Sequence, residues 1–142
     1  MPTSKAAATW EGGLKTGKGK FEAGSGAFSG AYSFPTRFEG KEGTNPEELI
    51  AAAHAACLSM ELSADLERAG TPAERIQTTA HCTIEITDSG PKITRMKLQV
   101  AGKVPSLDAE GFQKAATQAK NNCPVSKALA GNLEMELEAR LE

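Results

Sequence analysis

Asn45 to Gly70 reads NPEELIAAAHAACLSMELSADLERAG, a run with helix signals at both ends and almost no charge through its first half. Asn45 is a good N-cap, Pro46 takes the favoured first helical position, and Glu47 and Glu48 suit the positive end of a helix dipole. Asn45 and Glu48 also stand at capping-box spacing. Gly70, with Pro72 beyond it, stops the run, so the pattern predicts a helix over residues 46–69. From Leu49 to Met60 there is no charged residue and every side is apolar or small, the pattern of a helix buried all round. The second half is amphipathic, with Leu58, Leu62 and Leu66 at four-residue spacing. A chain of 142 residues buries roughly two thirds of its unfolded surface by itself. So apolar a helix asks for more cover than that, and a second copy of the chain would supply it.

The flanking sequence reads mostly as strands. Residues 4–11 alternate, with Ala6, Ala8 and Trp10 on one side, and Gly12-Gly13 marks a turn into a polar hairpin partner over 14–22 that carries Lys15, Lys18 and Lys20. Residues 24–30, GSGAFSG, read as a flexible loop. Residues 31–38 set Tyr32, Phe34, Thr36 and Phe38 on one face and Arg37 on the other, a strand that Pro35 confines to an edge. Beyond the helix, 76–87 is the cleanest strand, with Ile76, Ala80, Cys82, Ile84 and Ile86 on one face and Gln77, Thr79, His81, Glu85 and Thr87 on the other. Asp88-Ser89-Gly90-Pro91 turns it back into 92–103, where Met96, Leu98 and Val100 face inward. Residues 108–120 form a second helix with Phe112, Ala115, Ala116 and Ala119 on its apolar side, Cys123-Pro124 opens a short helix to Leu129, and 133–141 alternate as a last strand. With no repeat or linker, the chain reads as a single domain over 1–142, α+β and largely antiparallel.

Composition narrows the function classes. Sixteen Lys and Arg against 18 Asp and Glu leave a net charge of −2, without the basic excess of a nucleic-acid binder. No run reaches the ~18 consecutive apolar residues of a membrane span, and the first ten residues lack a signal-peptide core. Three cysteines, Cys57, Cys82 and Cys123, make no secreted disulfide framework, so a reducing cytoplasm is the expected setting.

Each cysteine has its own context. Cys57 lies in the apolar half of the long helix, where a free cysteine is either a small core residue or a reactive thiol. Cys123 precedes Pro124 at a helix start, where it is either a plain capping position or a thiolate favoured by free N–H groups. The two are 66 residues apart, so only the fold can join them. Joined, they form the pair that thiol peroxide chemistry needs: one sulfur becomes a sulfenic acid and the other condenses with it to a disulfide. Cys82 sits on the inward face of an alternating strand and reads as core.

On an ideal helix Glu47 lies about 80° around from Cys57 and Glu48 about 180°, so Glu47 is the carboxylate on the sulfur's side. A carboxylate beside a thiolate repels it unless a cation stands between them. Arg37, shortly before the helix, is the candidate for that fork, or else a solvated strand arginine. His54 shares a face with Cys57 but fits a packed, hydrogen-bonded histidine better than a ligand, since the histidine and cysteine spacings make no zinc pattern.

Residues 38–60, FEGKEGTNPEELIAAAHAACLSM, together with NCPVSKAL at 122–129 and TWEGG at 9–13, resemble the OsmC/Ohr family, the osmotically inducible and organic-hydroperoxide-resistance proteins of bacteria, along almost the whole chain. TRFEG and the TWEGG opening look more like the OsmC branch. The resemblance implies a thiol-dependent peroxidase that reduces organic hydroperoxides, with Cys57 as the peroxidatic and Cys123 as the resolving cysteine, Glu47 as the carboxylate after Asn-Pro, and a Cys57–Cys123 disulfide as intermediate. In the Ohr branch the arginine lies nearer the N-terminus, where this chain has only lysines, so Arg37 takes that place here. The family fold is an intertwined homodimer, two long central helices wrapped by sheets, with both sites at the subunit interface. A dithiol, including lipoyl groups, is the implied reductant, with no metal, haem or flavin cofactor. The rival readings are a non-enzymatic thiol redox sensor and a small-ligand-binding stress protein.

Overall fold

Alternation and a glycine turn build the first hairpin. In a computed structural model, which describes residues 1–142, β1 (Ala6–Glu11) pairs antiparallel with β2 (Lys18–Ala23), and β2 with β3 (Ser29–Tyr32). Gly12 turns the first corner at φ 94°, a conformation only glycine takes freely. Gly19 serves a close approach: a Cβ there would stand 2.5 Å from the Tyr32 ring, which packs against Trp10 with centroids 5.6 Å apart. The chain divides into two compact units, residues 1–49 and 50–142.

The expected strand over 31–38 is corrected. β3 ends at Tyr32, and Phe34–Phe38 is a short helix, α1. The side chains of Ser33 and Thr36 form a reciprocal capping box, and Pro35 sits in the first turn, where its missing N–H is harmless. An alternation of aromatics over so few residues fits both periods, and the cap settles it as helix.

The long helix, α2, runs Pro46–Arg68, and Gly70 follows it at φ 80°. Asn45 caps it, its Oδ1 accepting from the Glu48 N–H at 2.8 Å. The reciprocal half of the expected capping box is absent, because Glu48 Oε1 accepts instead from the Thr44 hydroxyl at 2.8 Å. In the unit over 50–142, β4 (Arg75–Thr87) and β5 (Gly90–Lys103) form a long antiparallel hairpin. α3 (Ala109–Asn122), capped by Asp108, and α4 (Pro124–Leu129) follow, and then β6 (Glu134–Leu141).

β6 joins β5 in parallel, a departure from the antiparallel expectation. Parallel neighbours need a long crossover, and the α3–α4 segment is one. Ile86 also differs from expectation. A bulge at Thr83/Ile84 shifts the alternation, and Ile86 ends up 72% exposed.

Leu58, Leu62 and Leu66 of α2 share one core with Met96, Leu98 and Val100 of β5 and with Phe112, Ala116 and Ala119 of α3. Within this chain only that face of α2 is buried; Ala52, Ala53, Ala56 and Met60 are exposed, Met60 by 77%. The all-round burial expected of the first half is therefore not provided by the chain itself. Although no unbroken apolar run marks it, α2 is by length and composition apolar enough to cross a membrane, with mean hydropathy 1.3. Its leucine stripe on the sheet is that of a core helix.

Candidate active site

The first unit brings together Arg37 and Glu47. Arg37 lies in the last turn of α1, and Glu47 in the first turn of α2. Arg37 Nη2 donates to Glu47 Oε1 at 2.7 Å, and Nε donates to Oε1 at 3.0 Å and Oε2 at 3.3 Å. Of the fork anticipated from the sequence, between Glu47 and the Cys57 sulfur, this is the Glu47 half, a charge-assisted geometry a lysine cannot copy. The carboxylate side is nearly enclosed, 5% exposed against 35% for Arg37. The guanidinium also lies 5.2 Å from the centroid of the Phe38 ring, where the face attracts a cation. Sequence reading missed how the fork is held in place. Asn45, besides capping α2, donates from Nδ2 to the Thr36 carbonyl at 3.2 Å and so ties α1 to the start of α2. Lys15, by contrast, rests 5.8 Å from the Phe34 ring centroid.

The second unit brings together the two sulfurs. Cys57 is partly buried and Cys123 fully buried, and both are free thiols. The Cys57 thiol shares a hydrogen bond with Cys123, so the fold has closed the 66-residue gap. Burial pushes the Cys57 thiol above its ordinary pKa, and the Cys123 hydrogen bond and the Glu61 carboxylate push the same way. The Val125 amide N–H opposes them by donating to the sulfur. Cys123 caps α4 but makes no side-chain cap hydrogen bond. Cys82 packs against the core, as its strand pattern indicated.

His54 is fully buried, and its Nε2 lies 2.7 Å from Ser126 Oγ. It is the packed, hydrogen-bonded histidine expected. Burial lowers its pKa, so the ring is neutral. No group of His, Cys, Asp and Glu is arranged to hold a metal ion.

Comparison with known proteins gives a consistent picture. The family model described as OsmC-like protein matches residues 38–138. The chain is similar to the Escherichia coli (strain K12) protein named peroxiredoxin OsmC, with 44% identity over 137 residues and 96% of each chain covered. It is 34% identical over 104 residues to the Bacillus subtilis organic hydroperoxide resistance protein OhrB, covering 72% of this chain and 74% of that one. The crystal structure of Bacillus subtilis OhrB superposes with TM-score 0.76 at 29% identity, covering 96% of this chain and 98% of the other.

Proposed function

The chain belongs to the OsmC-like protein family, and on that basis we propose that it is a thiol peroxidase that reduces organic hydroperoxides to alcohols. The observation that carries the reading is the hydrogen-bonded Cys57–Cys123 pair, two free thiols that only the tertiary fold brings together. The Cys57 thiolate attacks the outer peroxide oxygen and the O–O bond breaks. The alkoxide leaves with a proton as the alcohol, and Cys57 becomes a sulfenic acid. Cys123 then attacks the Cys57 sulfur, the S–S bond forms, and the hydroxyl leaves as water with the Cys123 proton. A small dithiol or a lipoylated protein returns two electrons and two protons to the disulfide.

Burial and Glu61 both hold Cys57 as the thiol, so reaction near neutral pH needs a cation. Arg37, held by Glu47, is the residue we assign to that task. The apolar surroundings of Cys57 favour organic peroxides over hydrogen peroxide, and a reducing cytoplasm keeps both thiols ready.

The working unit in this proposal is a homodimer. The uncovered Ala52, Ala53, Ala56 and Met60 face of α2 supports it. An interface of the obligate class, above about 2,000 Å², is expected. Sedimentation at micromolar concentration should return the mass of two chains, and a stable monomer would contradict the assembly.

The enzymatic reading is tested by steady-state turnover of cumene hydroperoxide with dithiothreitol or dihydrolipoamide. Many equivalents consumed per chain support it. Oxidation that stops at one equivalent with excess dithiol present would leave a sensor instead.

A further inference from the structure

We propose that His54 and Ser126 are a positioning pair that holds Cys123 opposite Cys57. His54 precedes Cys57 by three residues on α2, and Ser126 follows Cys123 by three residues into α4. Positions three apart lie on one helix face, about one turn from each other. The same two segments are therefore joined twice, once through oxygen and nitrogen and once through sulfur.

Three features give the polar link its task. First, α4 has only six residues and makes no side-chain cap, so it has little intrinsic order. Second, Val125 and Leu129 pack against the core by apolar contact, which tolerates sliding and rotation, while the 2.7 Å hydrogen bond of Ser126 has a direction. Third, the pair sits in apolar surroundings where it carries a cost. His54 is fully enclosed, Ser126 is 4% exposed, and the His54 Nδ1 has no partner. A leucine there would avoid that cost, and fixing register is the best-attested use of a buried polar pair. The proton assignment follows from the orphaned Nδ1. An unpaired N–H is rarer than an unpaired acceptor, so the proton belongs on Nε2, which donates to Ser126 Oγ.

The part this pair plays in turnover rests on the peroxidase reading, while its hold on the two sulfurs does not. The test therefore uses no peroxide. Wild type, Ser126→Ala and Ser126→Thr are equilibrated in mixtures of reduced and oxidised dithiothreitol, quenched in acid, alkylated and read by intact mass. In this exchange the two protein thiols pass two electrons and two protons to the reagent disulfide, so one S–S bond forms as the other breaks. Ser126→Ala should displace the equilibrium on the order of tenfold toward the dithiol, because misplaced reacting atoms lose effective concentration. That displacement corresponds to about 30 mV. Ser126→Thr, which keeps the hydroxyl, should return to the wild-type value.

Ser126→Ala at the wild-type equilibrium would overturn the proposal. So would Ser126→Thr displaced as far as Ser126→Ala, since volume and not the hydrogen bond would then be responsible. Should Ser126→Ala fail to fold, His54→Gln and His54→Leu give the same contrast from α2: Gln carries a donor to the place of Nε2 and should behave as wild type, Leu should be displaced, and the reverse order would sink the idea. A wild type that fails to reduce cumene hydroperoxide while showing these shifts would remove the peroxidase reading and leave the positioning pair standing.

Discussion

The Arg37–Glu47 fork and the His54–Ser126 contact both close at 2.7 Å, yet they solve opposite problems. The fork is ionic and spans ten residues of sequence, and its arginine side chain stays 35% exposed. The imidazole contact is neutral, spans 72 residues and is fully enclosed at the histidine. Removing an ion pair from water entirely costs several kcal/mol per charge, so a wet edge is where a charge can be kept. A neutral ring can go deeper, at the cost of one orphaned nitrogen. The ion pair is thus assembled locally near a surface, and the two sulfurs are brought together by distant segments.

That contrast can be broken most severely at the sulfurs. Cys57→Ser should abolish peroxide turnover, because no nucleophile remains. Cys123→Ser should consume one equivalent and then pass to higher oxides, visible as mass steps of added oxygen. Steady activity in either variant would dissolve the division of labour.

Next in size is the fork. Arg37→Lys removes hydrogen bonds to a charged group worth about 1.5–3 kcal/mol, on the order of tenfold to a hundredfold in rate. Stopped-flow oxidation at neutral pH should show that loss, with Glu47→Gln in the same direction and both variants folded. The deficit should shrink as pH rises toward the raised pKa of Cys57, since the solvent then supplies the thiolate. A wild-type rate for Arg37→Lys at neutral pH would transfer the role to Lys15, Lys18 or Lys20.

A smaller effect separates the neutral pair from the ionic one. The His54 pKa is lowered from 6.5 by burial, so between that value and the folded one the unfolded chain binds more protons. Stability should be fully present above about pH 6.5 and decline as pH falls through that window. Denaturant titrations of His54→Gln should lack this slope, and an unchanged slope would show that another group carries it. The smallest effect belongs to Cys82→Ser, which should turn over nearly as wild type, with any cost confined to melting temperature. Loss of activity there would move the nucleophile to the wrong strand.

Much of the fold was legible wherever a periodic pattern ended in a chemical stop. The α2 boundaries follow from Asn45, Pro46 and Gly70, and the inward faces of β5 and β6 follow from strict alternation. Reading failed where local rules compete. Phe34–Phe38 alternates like a strand, but the Ser33–Thr36 capping box makes it helix, and this carried Arg37 from a strand to a helix end without changing its partner. The bulge at Thr83/Ile84 leaves no trace in the alternation and still turns Ile86 outward.

By itself the sequence determined most of the elements, α1 excepted, the apolar excess of α2 and the Arg37–Glu47 partnership, because each depends on residues within about ten positions of one another, where helix geometry and caps act. Only the tertiary structure decided that Cys57 meets Cys123, that His54 meets Ser126 and that β6 runs parallel to β5. Those contacts join segments dozens of residues apart, and their placement follows from how α3 and α4 pack against the shared core, which no local pattern encodes.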